Sequence, residues 1–214
     1  MRTGSAGSRS RDSERTFRLM PRAPTYDRTR LLDRAIRVFW EKGYAGTSIR
    51  DLVDATGVQR YGLYESFGDK HGLFLSALER YQETVISGLL RELERPGAAL
   101  PEILGLLDRL TMTAERPGAA RGCLLCNTAA ELGEDDAEAA EVVDAYSRRL
   151  SRAFQAALIR ARSLGQVPPE LNAVRLSRFL TGVVVGGSVH ARTAEGRRCL
   201  PALFHVARNA LGQP

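Results

Sequence analysis

Residues 47–67 read TSIRDLVDATGVQRYGLYESF, two short amphipathic segments that meet at Thr56-Gly57-Val58. Thr47 is expected to cap the first segment, its hydroxyl offered to an orphan amide, with Ile49, Leu52 and Val53 facing inward. Gly57 ends that segment and supplies a left-handed turn, while Val58 plugs the corner. A second helix is expected from about Gln59 to Phe67. With Leu63 and Phe67 facing in, an advance of about 100° per residue puts Tyr61 and Glu65 on the opposite face, with Gly62 and Tyr64 on the flanks. A helix that served only as a packed corner would not turn Tyr61, Tyr64 and Glu65 outward together. Gly62 weakens this helix by roughly 1 kcal/mol relative to Ala.

Outward from this pair, the apolar residues keep the helical period and no alternating strand pattern lasts more than a few residues. Leu31, Leu32, Ala35, Ile36 and Phe39 form the inward stripe of a first helix that Gly43 stops. A long fourth helix is expected from near Lys70 to before Pro96-Gly97, then others over about 100–115 and from Gly122 to Leu132. The next opens at Asp135, where Glu138 three residues on suggests a capping box, and its apolar positions run from Val142 through Tyr146, Leu150 and Phe154 to Ala161. Two more cover about 171–193 and 197–211. The expected fold is all-α with about nine helices: a tail at 1–24, a three-helix unit at 25–70 and a larger helical body at 71–214.

The chain has 214 residues, 43% hydrophobic and 26% charged, the balance of a globular protein. Its formal charge of +6 lies mostly in the tail, where residues 1–24 hold six Arg against Asp12 and Glu14. Net charge therefore carries no argument for the folded part. The segment from Met1 to Ala23 lacks the apolar run of a signal peptide, and Phe179 to Val189 is too short for a membrane span, so a cytoplasmic protein is expected. Three cysteines describe no disulfide framework, and His71, His190 and His205 are scattered, so neither a metal nor a cofactor is expected.

Thr47, Ile49, Gly57-Val58, Leu63-Tyr64, Phe67 and Lys70, in this order behind an amphipathic helix, resemble the N-terminal signature of the TetR family of regulators. The resemblance covers about residues 31–74 and implies a helix-turn-helix on double-stranded operator DNA. Tyr61 and Glu65 are then the groove candidates, joined by Gln59 and Arg60 at the start of the recognition helix and by Tyr64 at its flank. Thr47 and Lys70, at the starts of two helices, suit phosphates, and the resemblance implies a clamp on the DNA backbone for both. Gln59 replaces the Ser or Thr usual in the family.

The resemblance also implies a body that binds a small-molecule effector and a homodimer formed by the last two helices. Leu107, Met112, Cys126, Asn127, Tyr146 and Phe154 are candidates to line the effector site, although the same residues at helical spacing also read as core. Phe179, Val183, Gly186 and Gly187 are candidates for the interface, because the apolar band of their helix is wider than one internal face needs. The expected function is a ligand-responsive regulator, a repressor. Two alternatives remain. Cys123 and Cys126 lie three apart at a helix start, which suits a sensor of oxidants or electrophiles as well as two small buried hydrophobes. An architectural DNA binder would have no ligandable cavity. A thiol oxidoreductase would need a βαβ setting around the pair, which the sequence lacks.

Overall fold

A computed structural model describes residues 26–114 and 119–212, and every regular element among them is helical. The Arg-rich segment at 1–24 lies outside the described residues. Helix α1 (Arg28–Lys42) starts on Asp27, whose carboxylate accepts the Thr29 and Arg30 amides, and it buries the expected stripe from Leu31 to Phe39. Helix α2 (Ile49–Thr56) is capped by Ser48 and not by Thr47. Ser48 and Asp51 exchange side-chain and backbone hydrogen bonds in a capping box, and the Lys42 ammonium foremost, then these Ser48 bonds, hold the Asp51 carboxyl well below its ordinary range. Gly57, at φ 75°, makes the left-handed turn into α3 (Arg60–Phe67).

Helix α4 (Lys70–Tyr81) continues through a π turn at Gln82–Ile86 into α5 (Ser87–Leu90), one rod from the small unit deep into the body. Its Leu73, Phe74, Ala77 and Leu78 are buried, and its principal packing is on α1, where Phe39 meets Phe74 edge-on at 4.9 Å. The body comprises α6 (Leu100–Ala114), α7 (Leu124–Leu132), α8 (Ala137–Ser163), α9 (Ala173–His190) and α10 (Ala194–Asn209). The cap of α8 is Asp136, whose carboxylate accepts the Ala139 amide; the expected Asp135–Glu138 box does not form, and Glu138 lies near His71 instead. Helix α8 buries Tyr146, Leu150, Phe154 and Leu158 against α6, α7 and α9, and α10 closes on α9 and α6. No described helix is long and apolar enough to cross a membrane.

Candidate DNA-reading head and effector cavity

Helix α3 turns the expected face outward. Leu63 is buried, whereas Tyr61 is 78% exposed with Gln59, Arg60 and Glu65 exposed around it. Tyr64 is half-buried, with the Arg60 guanidinium 5.0 Å above its ring, so these two residues fix each other. Gln59 occupies the cap position without a side-chain cap bond; in the preceding turn the Thr56 hydroxyl accepts the Val58 amide. The inward edge of α3 rests on a residue absent from the expected set. The Tyr26 hydroxyl donates to the Gly62 carbonyl at 3.0 Å and meets the Ser66 hydroxyl. A methyl at position 62 would come 3.0 Å from Val58 and 3.6 Å from the Tyr26 ring, so Gly62 is the gap through which Tyr26 straps α3. Arg28, at the start of α1, lies 4.5 Å over the Phe67 ring.

Thr47 and Lys70, the two expected phosphate contacts, both make hydrogen bonds within the head. Thr47 is 2% exposed, and its hydroxyl donates to the Gly43 carbonyl at 2.6 Å. The Lys70 ammonium donates to the Tyr44 and Thr47 carbonyls at 2.8 and 2.9 Å and sits 4.2 Å over the Tyr44 ring. Both residues hold the turn between α1 and α2 from within.

The same turn is gripped from the body. The Glu131 carboxylate, at the end of α7, accepts the Tyr44 amide at 3.0 Å and the Ala45 amide at 2.8 Å. Gly43 makes room for it: its φ is 74°, and a side chain there would run into the carboxylate. Two further contacts join the units. Trp40 Nε1 donates to the Arg121 and Gly122 carbonyls, and His71 Nε2 lies 2.8 Å from an Asp136 carboxylate oxygen. The Ala139 amide foremost, then His71, holds the Asp136 carboxyl below its ordinary value. No sequence signal pointed to Glu131, because its partners are main-chain amides.

Within the body lies a cavity of about 540 Å³, walled by Trp40, Tyr81, Cys123, Tyr146 and Phe204 with Arg121 at its edge. Of the expected lining residues it includes Tyr146. Leu107, Cys126 and Phe154 are buried in the packed interior away from this wall, and Met112 is 62% exposed on the surface. Asn127 borders a smaller cleft of about 280 Å³ beside Glu131; its amide donates to the Arg121 carbonyl and its buried Oδ1 has no partner among the described residues. Among the described residues no three His, Cys, Asp or Glu side chains are grouped to hold a metal ion.

Comparison with known proteins matches both halves of this arrangement. The family profile "Bacterial regulatory proteins, tetR family" matches residues 31–77, and "Tetracyclin repressor-like, C-terminal domain" matches residues 99–204. The HTH-type transcriptional regulator YezE of Bacillus subtilis is 35% identical over 162 residues, 75% of this chain and 84% of its own length. The chain belongs to the TetR family. The HTH-type transcriptional repressor ComR of Escherichia coli is 30% identical over 194 residues, 89% of this chain and 90% of its own. Among solved structures, a cysteine mutant of the TetR-family regulator CifR complexed with 26-base-pair operator DNA superposes with a TM-score of 0.74 at 28% identity, over 89% of this chain and 98% of that one. The protein is accordingly a DNA-binding transcriptional regulator and not an enzyme.

The outer surface of this TetR-family body carries an apolar strip along α9 and α10. Phe179 is 44% exposed, and Val174, Val189 and Val206 are exposed too. Gly182 and Gly186 have open space where a side chain would stand. Two of the expected interface residues face the other way: Val183 is in the core, and Gly187 gives Leu200 and Phe204 of α10 room to pack within the subunit.

Proposed function

We propose that the chain is an effector-responsive repressor, a cytoplasmic homodimer that holds a palindromic operator and leaves it when a small molecule fills the cavity. Residues 25–70 form the reading head in this scheme and 71–214 the effector and dimerisation body. Gln59, Arg60, Tyr61 and Glu65 read the groove, with Tyr64 at its edge. Two copies paired through the Phe179–Gly186 strip would offer the two α3 helices to half-sites about 34–36 Å apart on one face of the duplex. The observation that carries the effector part is Trp40: it belongs to the head helix α1, walls the cavity, and hydrogen-bonds to the segment leading into α7. A molecule in the cavity therefore touches the head directly and can favour one of two head positions. An architectural DNA binder has no use for such a cavity, which favours the regulator over that alternative.

The test begins with an operator selected from random duplexes. Its length and symmetry, and two chains per duplex in sedimentation, are the expected outcome. Tyr61→Ala should lose operator binding by an amount worth about 1–3 kcal/mol while retaining binding to random DNA. Equal losses on both DNAs would remove Tyr61 from base readout, and binding of one chain per operator would remove the dimer.

A further inference from the structure

The structure treats the two thiols at the start of α7 unequally. Cys123, 8% exposed, stands on the cavity wall, whereas Cys126 one turn on is buried off that wall, beside Ser188. Cys199 is exposed on α10. Around Cys123 the cavity gathers hydrogen-bond donors. The Tyr81 hydroxyl donates to its Sγ at 3.8 Å and accepts the Leu124 amide at 3.4 Å. Tyr146, on the same wall, is almost wholly buried, and none of the hydrogen bonds among the described residues engages its hydroxyl. The neighbouring Cys126 foremost, with the main chain at the helix start and the Tyr81 hydroxyl, holds the Cys123 thiol below its ordinary value against the opposing effect of burial. Burial pushes the Tyr81 and Tyr146 hydroxyls up, so both keep their protons. The Cys126 thiol is pushed up by Cys123 and by burial.

We propose that the effector of this regulator is an apolar α,β-unsaturated carbonyl compound, captured by conjugate addition to Cys123. This deepens the effector-responsive reading above and rests on it. The Cys123 thiolate bonds to the β carbon, and the alkene electron pair moves toward the carbonyl as an enolate. The Tyr146 hydroxyl donates to that oxygen, and the proton lost by the thiol returns at the α carbon. Thiol and acceptor become one thioether adduct, with no oxidant or cofactor consumed. The apolar wall admits an aryl or alkyl body. Cys126, off the wall with its thiol raised, supports the Cys123 thiolate and takes no adduct itself.

An adduct at Sγ takes the place of the Tyr81–Cys123 contact, between α4 and the start of α7. Tyr81 is the last residue before the π turn, an element that often marks a working position in a helix. Both helices lead to the same place: Lys70 at the start of α4 and Glu131 near the end of α7 hold the α1–α2 turn of the head.

The test uses the full chain carrying Cys199→Ser, so that the exposed thiol is gone, bound to the selected operator. Cinnamaldehyde is the probe, and 3-phenylpropanal, of similar shape without the alkene, is its control. Expected are one adduct per chain, mapped to Cys123 by peptide mass spectrometry, and an operator affinity lowered about tenfold. The rate of addition should rise with pH and level off with a midpoint below the ordinary thiol value, and Tyr81→Phe should move that midpoint upward. Cys123→Ser should abolish adduct and release, whereas Cys126→Ala should leave the adduct on Cys123 and its release of operator but move the pH midpoint of addition upward; Cys123→Ala replaces the serine variant if its melting temperature falls. An unmodified Cys123, an adduct that leaves operator affinity unchanged, or equal release by 3-phenylpropanal would each overturn the proposal. Untreated chain that selects no operator would instead overturn the regulator reading beneath it.

Discussion

Lys70, a residue of the expected type at the expected place, is engaged by its own chain. A lysine at a helix start beside a DNA-reading head invites a phosphate, and in the free chain its ammonium donates to two carbonyls and lies over an aromatic ring. We expect Lys70→Ala to destabilise the fold by about 1–3 kcal/mol, because the Tyr44 and Thr47 carbonyls lose charge-assisted donors. Chemical denaturation measures that loss. The salt dependence of operator binding should keep its slope; a slope reduced by about one would show that Lys70 neutralises a phosphate after all. The outward face of α3 was legible at this scale because it needs only a helical period and an inward Leu63. Tyr26 was not, since its hydrogen bond to Gly62 spans 36 residues of sequence and no local pattern announces it.

Among the elements, caps decide where helices begin and how they respond to acid. Asp136 both caps α8 and faces His71 of α4, so one carboxylate closes a helix and joins two of them. Its folded value lies below the ordinary one. The stability it contributes is therefore present above the ordinary carboxylate value, near 4, and is lost as pH falls through the folded value. Asp136→Asn should flatten the fall in stability below about pH 4, as read from urea melts across the acid range. An unchanged acid limb would show that other carboxylates set it. The cap positions were legible only to within one residue: Ser48 displaces Thr47, and Asp136 displaces Asp135. In both places two adjacent residues are chemically able to cap, and tertiary contacts choose between them. Thr47 goes to Gly43, and His71 reaches Asp136. The π turn after Tyr81 has no composition signal at all.

For the whole molecule, the unpartnered strip on α9 and α10 bears on oligomeric state. Gly186 has room for a side chain in the single subunit, so a large residue there costs the monomer little and obstructs only a neighbour. Gly186→Arg should leave the helical content intact and shift sedimentation from two chains to one, with operator affinity falling in step. A dimer unaffected by this change would place the interface elsewhere. The helical body was legible as a body, but its cavity was not. Leu107 and Phe154 have the same helical spacing as Tyr146, and only the packing of α4, α7 and α9 decides which of them meets empty space.

The grip between body and head has one more consequence. Glu131 holds the amides of Tyr44 and Ala45, and Trp40 donates to the carbonyls of Arg121 and Gly122. In both of these one side of the bond is the polypeptide main chain, which substitution does not alter, whereas His71 and Asp136 meet side chain to side chain. Side chains on the outer surface of the head are thus free to diverge, and with them the DNA sequence recognised, while the mechanical linkage persists. The joint is a generic coupling, suited to grafting a foreign reader onto this body so that a new set of genes answers to the same chemical signal.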